Sequence, residues 1–269
     1  MALMHLTNEL IARAEQFSVG FHAGRMGAIA NLPGNPFGVE LRVLSNGIAC
    51  KVRHPLLKGK NRIIGFRPDD LDSLDELLDF YREDKLRFSL FVPQGQMTPE
   101  LFECFVQAGL WSAGSGTVPA LVPGGDYTPS APEIQVRRSE PEEKEAYLDL
   151  FQQAFDHRDE RVPEYRPIQW AEDSLPGGAR YIAEIEGKPV GMASFPVANG
   201  VGFMGTAGVL PEYRRRGVQK ALIQRRLADA PALGCDLVLA GGSPGSTTYR
   251  NFERAGFRLI PTGSGWQER

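Results

Sequence analysis

The segment from Gly205 to Leu227, GTAGVLPEYRRRGVQKALIQRRL, constrains this chain more than any other. A β-rich run ends at Val209, Pro211 closes it, and three arginines lead through Gly217 straight into a helical pattern. A strand that turns directly into a helix points the helix's first unsatisfied N–H groups outward, where the macrodipole also favours negative charge. Gly217 keeps a side chain out of the path of a closely approaching phosphate. Arg214, Arg215 and Arg216 add local positive charge. A solvated basic turn has the same local sequence, so the flanking elements decide between the two readings.

Those elements alternate. Glu133 to Arg138 reads as a strand, and Pro141 to Phe155 as an amphipathic helix, with Ala146, Tyr147, Leu150, Phe151 and Ala154 on one face. Asp156 to Pro167 reads as a polar loop. Three β-rich runs follow, Tyr181 to Ile185, Pro189 to Val197 and Val201 to Leu210, joined by Glu186-Gly187-Lys188 and Asn199-Gly200, which suit hairpins. After the Gly217 to Asp229 helix come a strand at Asp236 to Ala240, a helix at Ser246 to Arg254 and a strand at Phe257 to Ile260. The expected class is α/β with a mixed sheet.

This order, with Arg214-Arg215-Arg216-Gly217-Val218-Gln219 in the turn and Asn251-Phe252-Glu253-Arg254-Ala255-Gly256-Phe257 near the end, resembles the GCN5-related N-acetyltransferase (GNAT) superfamily over roughly residues 133 to 260. Gln219 departs from the small residue usual at the last turn position, but its backbone N–H remains. The resemblance implies acetyl-CoA as co-substrate, with its pantetheine arm along Ala207, Gly208 and Val209. It also implies a pyrophosphate site on Arg214, Arg215, Arg216, Gly217, Val218, Gln219 and Lys220, with a further contact at Ser246, which also suits a helix cap. A backbone amide near Val209 is placed to polarise the thioester carbonyl and stabilise the oxyanion formed when an amine attacks.

The acid and base are less defined. Many relatives carry a tyrosine that protonates the leaving sulfur where this chain has Phe252. Tyr249, one turn earlier, either takes that role or packs into the core. No carboxylate lies within Val201 to Leu210. Glu184 on the preceding strand is the candidate base, against an ordinary solvated glutamate. His157 is a second candidate by its titration range, against a surface histidine.

The first half holds a faint copy of the second. Setting Phe105 against Phe252 also brings Leu90, Ala108 and Gly109 onto Leu237, Ala255 and Gly256. In that register Asp70 falls opposite Gly217, with Asp69 beside it, and two carboxylates at a helix start repel a pyrophosphate. The expectation is tandem GNAT-like acyl-CoA N-acyltransferase folds: residues 1–130, a degenerate copy covering the acceptor site, and 131–269, the acetyl-CoA-binding domain. The break is placed near Ser130 in a Gly/Pro-rich stretch. His22, Arg25 and Asn35 line the acceptor pocket or serve only as connection.

Composition excludes other classes. Lys plus Arg number 30 against 33 Asp plus Glu, a net charge of −3, so general nucleic-acid binding is not expected. Cys50, Cys104 and Cys235 lack metal-ligand or disulfide spacing. The N-terminus reads as a short surface helix, and no run reaches the roughly 18 apolar residues of a membrane span. The resulting expectation is a cytoplasmic N-acetyltransferase acting on an amine of a small molecule or peptide, without metal, nucleic-acid or membrane partners. The alternative is a noncatalytic acyl-CoA-binding regulatory module.

Overall fold

The computed structural model describes residues 5–127, 131–155, 162–242 and 244–268. The chain packs as two compact units, Leu6–Thr117 with Ile260–Arg269, and Met1–His5 with Val118–Leu259. The division therefore differs from a single break near residue 130. Long-range strand pairing, which local composition does not report, assigns the ends of two strands to the other half of the sequence.

In the first unit, helix α1 (Asn8–Ala30) starts at Thr7, whose hydroxyl oxygen accepts from the Leu10 N–H at 3.1 Å. It runs through Gly20 and Gly27 and replaces the short surface helix and glycine-rich connection expected there. Ala14, Phe17, His22, Met26 and Ile29 form a buried face at helical spacing, and that burial outweighs the weak helix propensity of the glycines. His22 and Arg25 thus lie within a helix, His22 buried and Arg25 stacked 5.0 Å over Phe21. Asn35 braces the following turn, exchanging two 3.0 Å hydrogen bonds with the Val39 backbone.

Strands β1 (Val39–Val43), β2 (Ile48–Val52) and β3 (Arg62–Ile64) pair antiparallel in sequence order. After α2 (Leu74–Arg82), β4 (Ser89–Pro93) lies parallel to β3. Helix α3 (Pro99–Gln107) follows, then β5 (Leu110–Leu121). On its other edge β4 pairs antiparallel with the end of the chain, from Gly263↔Pro93 to Gln267↔Ser89. The core gathers Phe66, Leu78, Tyr81, Leu90, Phe105 and Trp266.

The second unit contains β6 (Ile134–Arg138), α4 (Lys144–Ala154), α5 (Val162–Asp173), β7 (Ala179–Ile185) and β8 (Lys188–Phe195). Next come β9 (Val197–Ala198), β10 (Val201–Met204), β11 (Ala207–Val209), α6 (Val218–Asp229), β12 (Leu237–Ala240) and α7 (Thr247–Arg254). Strand β13 (Arg258–Glu268) begins here and ends in the first unit, so it is longer than the expected Phe257 to Ile260. Both predicted hairpin turns have positive φ at consecutive residues, Glu186-Gly187 and Asn199-Gly200, as two-residue turns require. Helix α5 occupies the second half of the stretch read as loop, residues 162–167; residues 156–161, including His157, lie outside the described residues.

One sheet of this unit runs β11-β8-β7-β6. Elsewhere in the unit, β12 pairs parallel with β10 and antiparallel with Ala120 and Leu121 of β5. The unit therefore mirrors the first: a parallel strand pair, a helix, and an adjacent place filled from the other half of the sequence. Both closing helices end alike, with Ala108 donating to the Cys104 carbonyl and Ala255 to that of Asn251, followed by left-handed Gly109 and Gly256.

Trp266 is 3% exposed and sits 5.1 Å, edge-on, from Phe105. Trp266→Ala should destabilise the protein by about 3–5 kcal/mol, measured as a lowered midpoint in urea. An unchanged midpoint would show that the C-terminal strand is dispensable to the first unit.

Candidate active site

The site is built where one strand changes partners. β10 pairs parallel with β12 from Val201↔Leu237 to Met204↔Ala240, and β11 then pairs antiparallel with β8, from Ala207↔Ala193 to Val209↔Gly191. Gly205 lies between them because a Cβ there would stand 2.3 Å from the Ser194 hydroxyl oxygen. At Gly202 a Cβ would lie 2.3 Å from the Phe195 ring, so two glycines let β8 press close.

The Ser194 N–H donates to the Thr206 carbonyl at 2.8 Å and the Leu210 N–H to the Val190 carbonyl at 2.9 Å. By antiparallel alternation, Thr206, Gly208 and Leu210 direct their backbone groups at β8, while Ala207 and Val209 direct theirs to the opposite edge. That edge belongs to a different sheet from β12. The opening can admit an extended ligand that pairs with it as another strand would. Gly208 is needed on the α4 side, where an added Cβ would stand 2.6 Å from Ala154.

A tight 3₁₀ turn, Pro211–Tyr213, carries the chain from β11 toward α6. Arg214 bridges two carbonyls, Val209 at 3.2 Å and Ala154 at 2.7 Å. Its role is thus partly structural, beyond the diffuse charge anticipated. Arg215 (φ +62) and Gly217 (φ +91) both adopt left-handed conformations, which fold the turn into a concave nest of N–H groups. A Cβ at Gly217 would meet only Ile134, at 3.6 Å. The glycine therefore serves backbone conformation rather than space.

Val218 is buried and anchors α6, whose first turn has no capping side chain and no acidic residue. The amides of Val218, Gln219 and Lys220 thus precede the first helical bond, from the Ala221 N–H to the Gly217 carbonyl at 3.0 Å. Arg215 and Arg216 are exposed beside them, with Arg216 5.3 Å over the Tyr213 ring. Together these groups are arranged so that they can receive an anion. The first unit inverts it: buried Asp70 accepts from the N–H groups of Ser45 and Arg67, each at 2.9 Å, and fills the corresponding turn with a carboxylate. Asp69 beside it is exposed.

The proposed acid–base groups are placed less simply. Glu184 on β7 pairs with Arg137 at 2.9 Å, and the same guanidinium also holds Glu143 at 2.7 Å. Its carboxylate is committed to that bridge, two strands away from β11. Tyr249 is half-buried rather than a core residue. Burial, followed by the nearby Glu253 carboxylate and its hydrogen bond, raises its pKa. Phe252 packs in the core, 5.2 Å from Phe257. The Ser246 hydroxyl oxygen accepts from the Tyr249 N–H at 3.1 Å and caps α7.

A buried polar group behind the partner switch was not legible in the sequence. Asp173, at the end of α5, accepts from the Tyr147 hydroxyl at 2.9 Å and the Gln169 amide at 2.5 Å; that amide also lies 3.2 Å from the Thr206 hydroxyl oxygen. Burial raises the Asp173 pKa to about 6, although hydrogen bonds, Gln169's first among them, favour the ionised form. Arg226 is fully buried and donates to the Leu222 carbonyl at 3.0 Å and the Ser194 carbonyl at 3.1 Å. Burial lowers its pKa to about 10, with Tyr181, Tyr147 and Asp173 opposing. The signal would have been Gln169 and Asp173 one helical turn apart, but Pro163 and Pro167 obscured the helix.

Among the described residues no group of three or more His, Cys, Asp or Glu is arranged to hold a metal, and no helix is long and apolar enough to cross a membrane. Burial raises the Cys50 thiol to about 12 and the Cys235 thiol to about 11, far from a reactive thiolate at neutral pH.

Residues 144–257 match the model of the acetyltransferase (GNAT) family. Through this segment the chain resembles the GNAT superfamily. Structures of low identity share the fold over nearly the whole chain. A GCN5-related N-acetyltransferase from Kribbella flavida is 18% identical with a TM-score of 0.60, over 91% of this chain and 95% of that one. FemX is 12% identical with a TM-score of 0.56, over 99% and 97%. A GCN5-related N-acetyltransferase from Sphaerobacter thermophilus is 17% identical with a TM-score of 0.54, over 82% and 71%. The architecture is a tandem GNAT-like fold. No curated protein matches the sequence.

Asp173 yields a pH test. Its folded-state pKa lies above the ordinary aspartate range, so its stabilising contribution is complete below about 4 and is lost as pH rises through about 6. Relative to the unaltered protein, Asp173→Asn should gain about 2–3 kcal/mol between pH 4 and pH 7, read by urea unfolding at both values. A stability difference independent of pH would exclude a raised Asp173 pKa.

Proposed function

We propose that the second unit binds acetyl-CoA and transfers its acetyl group directly to an amine of a small molecule or peptide. The observation that carries this reading is the edge of β11, unpaired by any strand and with only the Val209 carbonyl engaged, by Arg214, leading into an uncapped N–H nest at the start of α6. The nest and Arg215 and Arg216 suit a pyrophosphate. The edge suits the amide-bearing pantetheine arm, whose peptide-like groups find partners in the Ala207 and Val209 backbone. The acetyl thioester supplies the activated acyl carbon.

The Val209 N–H is directed to stabilise oxygen as negative charge develops there, an interaction stronger in the transition state than in the ground state. The amine nitrogen forms the new bond to carbon, the carbon–sulfur bond breaks with its electrons on sulfur, and the nitrogen's proton leaves to solvent. Tyr249, like any tyrosine, keeps its proton at neutral pH and can give it to the departing sulfur once its hydroxyl leaves Glu253. A thiolate with an ordinary pKa of about 8.5 also leaves without that help. Glu184, held by Arg137, fits the base role only through water; an amine that arrives neutral needs no base.

Phe252 in the core and the lack of a carboxylate within Val201 to Leu210 favour one second reading, a noncatalytic acyl-CoA-binding module. Acetyl-CoA incubated with a panel of amines separates the two through release of free thiol. Release that depends on an amine supports transfer; tight coenzyme binding with no release for any amine supports the module. Gly217→Val should weaken coenzyme A binding about tenfold or more, since valine resists φ near +91°. Unchanged affinity by calorimetry would remove the phosphate site from α6.

A further inference from the structure

The first unit, whose counterpart of the phosphate turn is filled by Asp70, has a pocket of about 900 Å³ formed by its own segments. Lys58, Arg82, Lys85 and Arg87 surround it, and Glu268 is the single acidic residue in its lining. Glu268 is already engaged by Arg82, at 2.6 Å. No ion pair among the described residues involves Lys58, Lys85 or Arg87. Three uncompensated cations around one concavity make a local positive field in a chain of net charge −3. Lys85 holds φ +54, a conformation glycine would adopt more readily, and its N–H donates to the Arg82 carbonyl at 2.9 Å.

Two further features specify the ligand. Trp111 lines the pocket and is 45% exposed, which leaves its indole face open to stack on a planar ring. Asn61, also in the lining, is only 3% exposed. Its Oδ1 accepts from the Val52 N–H at 2.6 Å, which fixes the amide's orientation and leaves Nδ2 buried with no hydrogen-bond partner. Such a donor is costly without an acceptor, and it lies beneath the pocket surface, where a small shift of the side chain would bring it to a ligand oxygen.

We propose that this pocket binds a nucleoside diphosphate. Lys58, Lys85 and Arg87 take the phosphates, Trp111 stacks on the base, and Asn61 donates to a ligand oxygen. The volume falls within the usual range for small-ligand sites, roughly 300–1,000 Å³. The coenzyme of the second unit also carries a diphosphate, so the test must tell the two sites apart.

Calorimetric titration of the full chain with ADP and UDP, and separately with pyrophosphate and adenosine, provides it. Each diphosphate should bind more tightly than either half-ligand. Binding should weaken about tenfold or more in Trp111→Ala and in the double variant Lys85→Ala, Arg87→Ala, with folding of both checked by circular dichroism. The double variant should keep its coenzyme A affinity, and Gly217→Val should keep its affinity for ADP and UDP. Absence of binding to the unaltered protein would overturn the proposal. So would nucleotide binding lost in Gly217→Val but kept in the double variant, or a short RNA hairpin that binds more tightly than either nucleotide.

Discussion

The change of partner at Gly205 and Thr206 governs the second unit. Before it, β10 shares its ladder with β12; after it, β11 shares one with β8. A continuous strand between both neighbours would have spent its backbone groups on both edges and left nothing for a ligand. The interruption leaves the Ala207 and Val209 edge without a partner strand, Arg214 alone reaching the Val209 carbonyl, while the other edge stays fixed through Gly208. The same short strand then ends close enough to α6 for one turn to join a strand-like edge to a helix N-terminus. The two kinds of recognition proposed for this unit, pairing along an arm and capture of an anion, therefore share one interruption.

Holding that interruption open requires interior polar groups. Asp173, Tyr147 and Gln169 are buried together, and Gln169 reaches Thr206 from α5. Arg226 approaches from α6 and binds the Ser194 carbonyl on β8. An apolar core of equal volume would pack as well or better, but it would not fix the carbonyls and hydroxyls of β8 and Thr206 in one arrangement. The polar cluster costs desolvation and supplies direction. The raised Asp173 pKa is the mark of that cost.

Features that depend on neighbours in sequence were legible beforehand. The hairpins at Glu186-Gly187 and Asn199-Gly200, the Gly217 turn into α6, and the caps and ends of α7 are all local. Helix α5 was not, because Pro163 and Pro167 break the apolar pattern. Pro163 is tolerated in a first turn, where its missing N–H has no helical acceptor, whereas Pro167 lies inside the helix. The destination of β13 was hidden for another reason. Its pairing with β4 joins residues some 170 positions apart, Gly263 with Pro93 among them, and strand register over such a distance leaves no local trace. Glu184 likewise appeared available because its ion-pair partner, Arg137, diagonal to it on the neighbouring strand, comes from the far side of α4 and α5 in sequence.

The two copies show how little separates an open N–H nest from one closed by a carboxylate. In one, left-handed Arg215 and Gly217 present amides with no acid in the first helical turn. In the other, Asp70 turns its carboxylate onto the amides of Ser45 and Arg67 at 2.9 Å. Both arrangements satisfy or expose the same kind of N–H group, and both are compatible with the same strand–turn–helix path. The internal carboxylate stabilises its own turn, so the first copy has no electrostatic need of a phosphate there. The net charge of −3 is thus the sum of opposed local fields: a basic nest in one unit, its acidic counterpart in the other, and a basic pocket elsewhere in that second setting. Any preference for anions in this chain is set turn by turn, at distances shorter than the roughly 8 Å over which physiological salt screens charge.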